Sequence, residues 1–267
     1  MEASTRPLAL VTGASSGIGL ELAREFATHD FDVIAVAEDD ELVDAVKDLQ
    51  RHGTTIEALK VDLSEDDGVE RCWEYVRSRG RPLDAVALNA GVGSGGAFAD
   101  TDLEKELSLV DLNCRSTVHL AKYVVRSMVE RDEGRILFTS SIAATMPGSF
   151  QAVYNASKSF VQSFALALRE ELKDTGITVT SLMPGPTETE FFERAEMEDT
   201  AVGASDSKDS PADVARDGFE ALMAGKERVV ASSMSTRMQG RGSRFLPDGI
   251  KAKMHRKMAE PGSAKDE

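Results

Sequence analysis

Seven apolar runs of strand length, at residues 8–12, 32–37, 56–61, 85–88, 135–139, 178–182 and 228–231, alternate with longer amphipathic stretches. Helical periodicity falls near 17–29, 40–52, 66–79, 102–131, 153–174 and 211–224, the last opened by Ser210-Pro211 as an N-cap and first-turn pair. A chain patterned this way has few choices. Strands joined by right-handed helical crossovers run parallel, and the crossovers cover both faces of the sheet. The expectation is a doubly wound α/β fold of about seven strands.

No repeat and no Pro/Gly/Ser linker divides residues 1–231, which are therefore expected to form one domain. Residues 187–209 lie between a strand and a helix, mix Phe191, Phe192 and Met197 with many acids, and exceed an ordinary connection. They are expected to form a lid over a substrate. Residues 232–267 form a basic C-terminal extension. Between 232 and 258, Arg237, Arg241, Arg244, Lys251, Lys253, Arg256 and Lys257 face Asp248 alone, although the whole chain carries a net charge of −15.

That acidic body repels nucleic acid and anionic membranes, and it is also compatible with a high-salt habitat. Only the basic extension is an exception to that repulsion. Ile250, Met254 and Met258 recur every four residues with bases between them, which predicts a short amphipathic helix after Pro247-Asp248-Gly249. It is expected to dock on an acidic surface of the protein's own oligomer, with anionic lipid as the rival. No secretory signal and no membrane-spanning run are visible, and Cys72 and Cys114 form no disulfide framework, so a cytoplasmic enzyme is expected. His29, His52, His119 and His255 lack metal spacing, and no metal is expected.

The first strand runs directly into Thr12-Gly13-Ala14-Ser15-Ser16-Gly17-Ile18-Gly19, and a helix follows. Glycines let such a turn approach a pyrophosphate, and the helix N-terminus offers free N–H groups to it. A second pattern, Tyr154-x-x-x-Lys158, places a phenol and an ammonium on one helical face. The cation favours phenolate, which moves the tyrosine toward proton exchange near neutral pH.

These motifs, with Asn89-Ala90-Gly91 after the fourth strand, Asn113, Ser141 and Pro184-Gly185 followed by Thr189, resemble the single-domain branch of the short-chain dehydrogenase/reductases in order and spacing. The resemblance spans roughly residues 6–231 and implies a Rossmann-like domain. One departure is Leu88-Asn89, where the family usually carries two asparagines supporting the central sheet.

The resemblance implies an NAD(P)-dependent oxidoreductase acting on a secondary alcohol or ketone. Tyr154 would be the general acid/base, Ser141 would hydrogen-bond the same substrate oxygen, and Lys158 would bind the nicotinamide ribose and lower the tyrosine pKa. Asn113 would hold a water that relays protons. Cofactor contacts would come from Gly13, Ser15, Ser16, Gly17, Ile18 and Gly19, from Glu38, and from Asp62 and Leu63, with Asp62 accepting from the adenine amino group. Asn89, Ala90 and Gly91 would pass beside the nicotinamide, and Pro184, Gly185, Thr187 and Thr189 would close its other side, Thr189 at the carboxamide. The resemblance further implies a homodimer or homotetramer built on the helices near 102–131 and 153–174.

Three expectations rest on the residues themselves. Ser64, followed by Glu-Asp-Asp, suits the N-cap of the third helix. Met146, Phe150, Phe191 and Phe192 offer substrate walls with few bases, which fits an uncharged or apolar carbonyl compound. The second strand ends in Ala37-Glu38-Asp39-Asp40-Glu41, whose carboxylates repel a 2′-phosphate and accept from free ribose hydroxyls. NAD is therefore expected over NADP, with NADP left open. A rival class, a dinucleotide-binding sensor or scaffold without turnover, has no need of Asn113, Ser141, Tyr154 and Lys158 together.

Overall fold

The structure, a computed structural model, describes residues 6–231 and 247–264. Arg237, Arg241 and Arg244 of the basic extension lie outside the described residues. Seven parallel strands, β1 (Leu8–Thr12), β2 (Asp32–Ala37), β3 (Ile56–Lys60), β4 (Ala85–Leu88), β5 (Gly134–Thr139), β6 (Ile177–Met183) and β7 (Arg228–Val230), form one sheet in the order β3-β2-β1-β4-β5-β6-β7. The strand order reverses between β1 and β4. A crevice opens beyond their carboxyl ends at such a reversal, where this chain places the glycine turn and Asn89.

Side-chain alternation along β1 shows why both faces are covered. Ala9 and Val11 join Leu22 and Phe26 of α1 (Gly17–Thr28) and Val214, Phe219 and Leu222 of α8 (Pro211–Met223) on one face. Leu8 and Leu10 point the other way. They meet Val69 and Cys72 of α3 (Gly68–Ser78), Leu120 and Val124 of α5 (Thr117–Val129), and Val161 and Ala165 of α6 (Ala152–Glu171). The remaining helix of the dinucleotide half is α2 (Glu41–Leu49).

Residues 102–131, expected as one helix, are α4 (Leu103–Val110), a π-helical turn (Asp111–Ser116) and α5. Two hydroxyls account for the widened turn by bonding back to carbonyls: Ser116 Oγ donates to the Leu112 oxygen at 2.5 Å and Thr117 Oγ1 to the Asn113 oxygen at 2.8 Å. Ser64 also departs from expectation. The third helix begins at Gly68 with Asp67 at its N-cap, while both the N–H and the hydroxyl of Ser64 donate to Asp62 Oδ1 at 2.7 Å.

The third apolar cluster is small and lies apart from the sheet. It joins Phe192 of α7 (Phe191–Arg194), Ala195 and Met197 to Ala259 of α9 (Asp248–Ala259), with Phe150, Phe191 and Val202 packed against them. The predicted amphipathic helix therefore exists, and it packs against residues 187–209 of the same chain. Val202 N–H donates to the Met258 oxygen at 3.0 Å, and Ala264 N–H to the Asp199 oxygen at 2.9 Å. Its Ile250 and Met254 stay about half exposed, at 47% and 50%. No helix among the described residues is long and apolar enough to cross a membrane, and those residues hold no cluster suited to a metal ion.

Candidate active site

One cleft of about 290 Å³ runs from the end of β2 past β1 and β4 to the lid and α9. Every residue expected at the site lines it except Asn113 and Phe150. Phe150, expected as a substrate wall, is not among its lining residues. Its backbone is left-handed (φ 65°), and its ring stacks under the Arg256 guanidinium at 5.4 Å, so it braces α9 from outside the cleft.

The glycine turn is shaped by close approach. A Cβ on Gly19 would lie 1.8 Å from the Gly13 carbonyl oxygen, so α1 can press against the turn only without a side chain there. Ser16, the N-cap of α1, makes no side-chain cap bond, which leaves the helix's first N–H groups facing the cleft. Beside them Ser15 Oγ donates to Asp39 Oδ2 at 2.8 Å, while Asp39 Oδ1 is buried with no partner. An orphaned carboxylate oxygen next to a glycine cradle fits a ribose hydroxyl. Glu38 lies nearby, and burial followed by the charge of Asp62 pushes its carboxyl above the ordinary range.

Asn89 makes good the missing second asparagine. Its backbone N–H donates to Thr12 Oγ1 at 2.9 Å, its amide to the Thr12 oxygen at 3.1 Å, and its Oδ1 accepts from Thr139 Oγ1 at 2.9 Å. One side chain thus spans β1, β4 and β5 beneath the cleft.

Deeper in, Lys158 Nζ donates to the Thr139 oxygen at 3.0 Å and lies 6.0 Å from the centre of the Tyr154 ring. Both side chains are buried. Burial dominates the electrostatics, contrary to the expected lowering of the phenol by its neighbour. The Tyr154 phenol is pushed up to about 12 by desolvation, with the Ser141 hydrogen bond pulling the other way. The Lys158 ammonium is lowered to about 8, again by desolvation. Two groups that share one dry pocket each resist charging. The phenol is consequently protonated at neutral pH and has a proton to give.

Asn113 stands behind this wall. Its Oδ1 accepts from the Val92 N–H, and its amide donates to the Val92 oxygen at 2.9 Å and to Ser157 Oγ at 3.0 Å. Its polar atoms hold the loop after β4 rather than facing the cleft. Ser141 Oγ accepts from the Ala143 N–H at 3.1 Å and approaches the Pro184 oxygen at 3.5 Å, which aims it into the chamber.

Residues 187–209, expected as a lid, line one side of the chamber. Phe191 packs on Tyr154 with ring centres 5.1 Å apart, and a Cβ on Gly93 would fall 2.4 Å from Phe191 Cζ. Gly93 therefore leaves the space that the Phe191 ring fills. Thr189 serves the lid's short helix as well as the cleft, since its Oγ1 accepts from the Phe191 N–H at 3.3 Å. Among the lining residues that sequence reasoning missed are Arg194, His255 and Met258, whereas Asp39 belongs to the acidic run at the end of β2. Arg194 reaches Glu190 at 2.6 Å and Glu41 at 3.4 Å, tying its segment to the start of α2. No local pattern marks the first three, because residues 187–209 and α9 meet the cleft only through tertiary packing.

Residues 7–200 match the family described as short chain dehydrogenase. The chain is a short-chain dehydrogenase. A short-chain type dehydrogenase/reductase of Sinorhizobium fredii is 35% identical over 190 residues, 70% of this chain and 73% of the relative. A short-chain dehydrogenase from Sphingobium yanoikuyae, solved with NADPH, superposes with a TM-score of 0.80 at 25% identity, covering 95% of this chain and 97% of that one. A short chain dehydrogenase/reductase from Burkholderia phymatum, solved with NAD, gives a TM-score of 0.80 at 20% identity over 90% and 94% of the two chains. This short-chain dehydrogenase is an oxidoreductase of the NAD(P)-dependent type acting between carbinol and carbonyl groups.

Proposed function

We propose that the short-chain dehydrogenase interconverts an uncharged ketone and its secondary alcohol, with Tyr154 carrying the proton and NAD as the preferred cofactor. The observation that carries this reading is the buried, protonated Tyr154 phenol flanked by Ser141 and Lys158 in a chamber walled by Met146, Phe191, Phe192 and Met258. An apolar chamber strengthens each hydrogen bond to a substrate oxygen and disfavours a charged substrate.

The dinucleotide would rest on the α1 N-terminus and the glycine turn, its adenosine ribose against Asp39 and Glu38, its adenine at Asp62, and its nicotinamide between Asn89–Gly91 and Pro184–Thr189. When bound, it supplies or accepts the hydride. In the reductive direction the Tyr154 hydroxyl and the Ser141 hydroxyl both donate to the substrate carbonyl, and the phenol proton passes to the oxygen as negative charge develops there. Lys158, released from the Thr139 carbonyl toward the ribose, stabilises the resulting phenolate. Asn113 positions this machinery through Val92 and Ser157. The acidic groups at the ribose end, Asp39 with its unpartnered Oδ1 and Glu38, favour unphosphorylated ribose, which supports NAD. Exposed Leu103, Leu107 and Val110 on α4 and Phe160 on α6 support self-association through the face expected to build a dimer or tetramer.

A screen of ketones and secondary alcohols, followed at the nicotinamide absorbance band with both cofactors, tests the reading. Turnover of uncharged ketones that is lost in Tyr154→Phe is the expected result. Turnover confined to carboxylate-bearing substrates would refute the chamber argument.

A further inference from the structure

The wall that α9 adds to the substrate chamber contains Met258, Ala259 and one polar side chain, His255. A buried wall made of methionine, alanine and phenylalanine is most simply completed by another apolar residue, and an imidazole there carries a desolvation cost. His255 is nonetheless only 5% exposed.

Its hydrogen bonding fixes the tautomer. Nδ1 lies 2.9 Å from the Ser149 carbonyl oxygen, which only accepts, so Nδ1 bears the proton. Burial lowers the imidazole below its ordinary range and keeps the ring neutral at pH 7. Nε2 then holds an unshared lone pair and has no hydrogen-bond partner among the described residues.

Anchoring of α9 does not account for the imidazole. Ser149 Oγ already donates to the Ala252 oxygen at 3.0 Å, and Val202 N–H to the Met258 oxygen at 3.0 Å.

We propose that His255 Nε2 is the specificity-determining acceptor of the chamber, taking a hydrogen bond from a hydroxyl that the substrate carries away from its reacting carbon. The preferred substrate is then an uncharged hydroxy-ketone or the corresponding diol. The proposal rests on the ketone–alcohol reading above and narrows it. A hydroxyl is the donor that satisfies the imidazole without bringing a charge into an apolar chamber.

Two isosteric variants separate recognition from anchoring. His255→Asn retains an N–H where Nδ1 stands, keeping the bond to Ser149, but has no acceptor at the Nε2 position. His255→Gln places an amide oxygen near the Nε2 position and gives up the Nδ1 donor. Steady-state kinetics are measured for ketones paired so that they differ by one hydroxyl remote from the carbonyl, with thermal melts confirming that each variant folds.

The wild type is expected to favour the hydroxylated partner by roughly 10-fold in kcat/KM, expressed mainly in KM. His255→Asn erases the preference by raising KM for the hydroxylated ketone alone, and His255→Gln keeps part of it. Equal losses for both partners in His255→Asn, or an unchanged preference, would overturn the proposal and leave His255 an anchor. A wild type that favours the deoxy partner would overturn it too. A wild type that reduces neither partner defeats the underlying ketone reading instead.

Discussion

Asn113 holds both backbone polar groups of Val92: its Oδ1 accepts from the Val92 N–H and its amide donates to the Val92 carbonyl, each at 2.9 Å. Asn113 lies in the π-helical turn, and the loop it holds carries Gly91 and Gly93, which line the cleft. Asn113→Ala unties that loop and leaves Ser157 without its donor. We expect kcat to fall by about 10²-fold while unfolding stability drops by roughly 1–3 kcal/mol. Single-turnover kinetics and thermal melts on the same sample check the two effects.

Tyr154→Phe removes the transferable proton and little volume. Turnover falls by at least ~10³-fold while cofactor affinity stays within about 2-fold of wild type. Rates and cofactor Kd measured together decide this, and full activity would sink the mechanism. Ser141→Ala removes the one interaction that lowers the Tyr154 phenol. An absorbance titration of the ligand-free protein, with Tyr154→Phe subtracted, is expected to move further alkaline.

The buried ammonium makes stability depend on pH with an unusual sign. Lys158 is lowered from 10.5 to about 8, so between those values the unfolded chain holds more protons than the folded one. Stability therefore rises with pH across that window, by on the order of 3 kcal/mol for this group at full development. Tyr154 opposes it only where an ordinary phenol begins to ionise in the unfolded chain, near 10, while burial keeps the folded one protonated. Lys158→Met is expected to melt higher than wild type at pH 7, to lose this dependence, and to be inactive. Denaturation curves at intervals through the window show whether the slope disappears.

Glu38→Arg replaces a carboxylate with a base at the ribose end and should shift kcat/KM toward NADP by about 10²-fold. Arg194 is the other variable, since it is the lid base that faces the same end. If the wild type already favours NADP, Arg194→Ala should remove that preference. Both cofactors measured on all three proteins distinguish the cases.

The sheet was legible in the sequence because its central strands β1, β2 and β4 are buried on both faces and read as apolar runs, and because the glycine turn, Asn89, Ser141 and Tyr154-x-x-x-Lys158 fall at strand ends or on one helix. What escaped has a common physical origin. The π turn comes from two hydroxyls competing for carbonyls, which hydrophobic periodicity does not register. The protonation of Tyr154 follows from burial, and a sequence shows the neighbouring cation but not the missing water. Arg194 and His255 reach the cleft from segments whose placement depends on each other. Phe150 looked like a wall residue from its neighbours in sequence, and its left-handed backbone sends the ring elsewhere.

The bonds from Val202 N–H to the Met258 oxygen and from Ala264 N–H to the Asp199 oxygen tie residues 187–209 to α9 and the turn after it, around an apolar cluster that stands apart from the sheet. Loosening either segment is therefore expected to loosen both, so that the cleft gains or loses this wall as one unit.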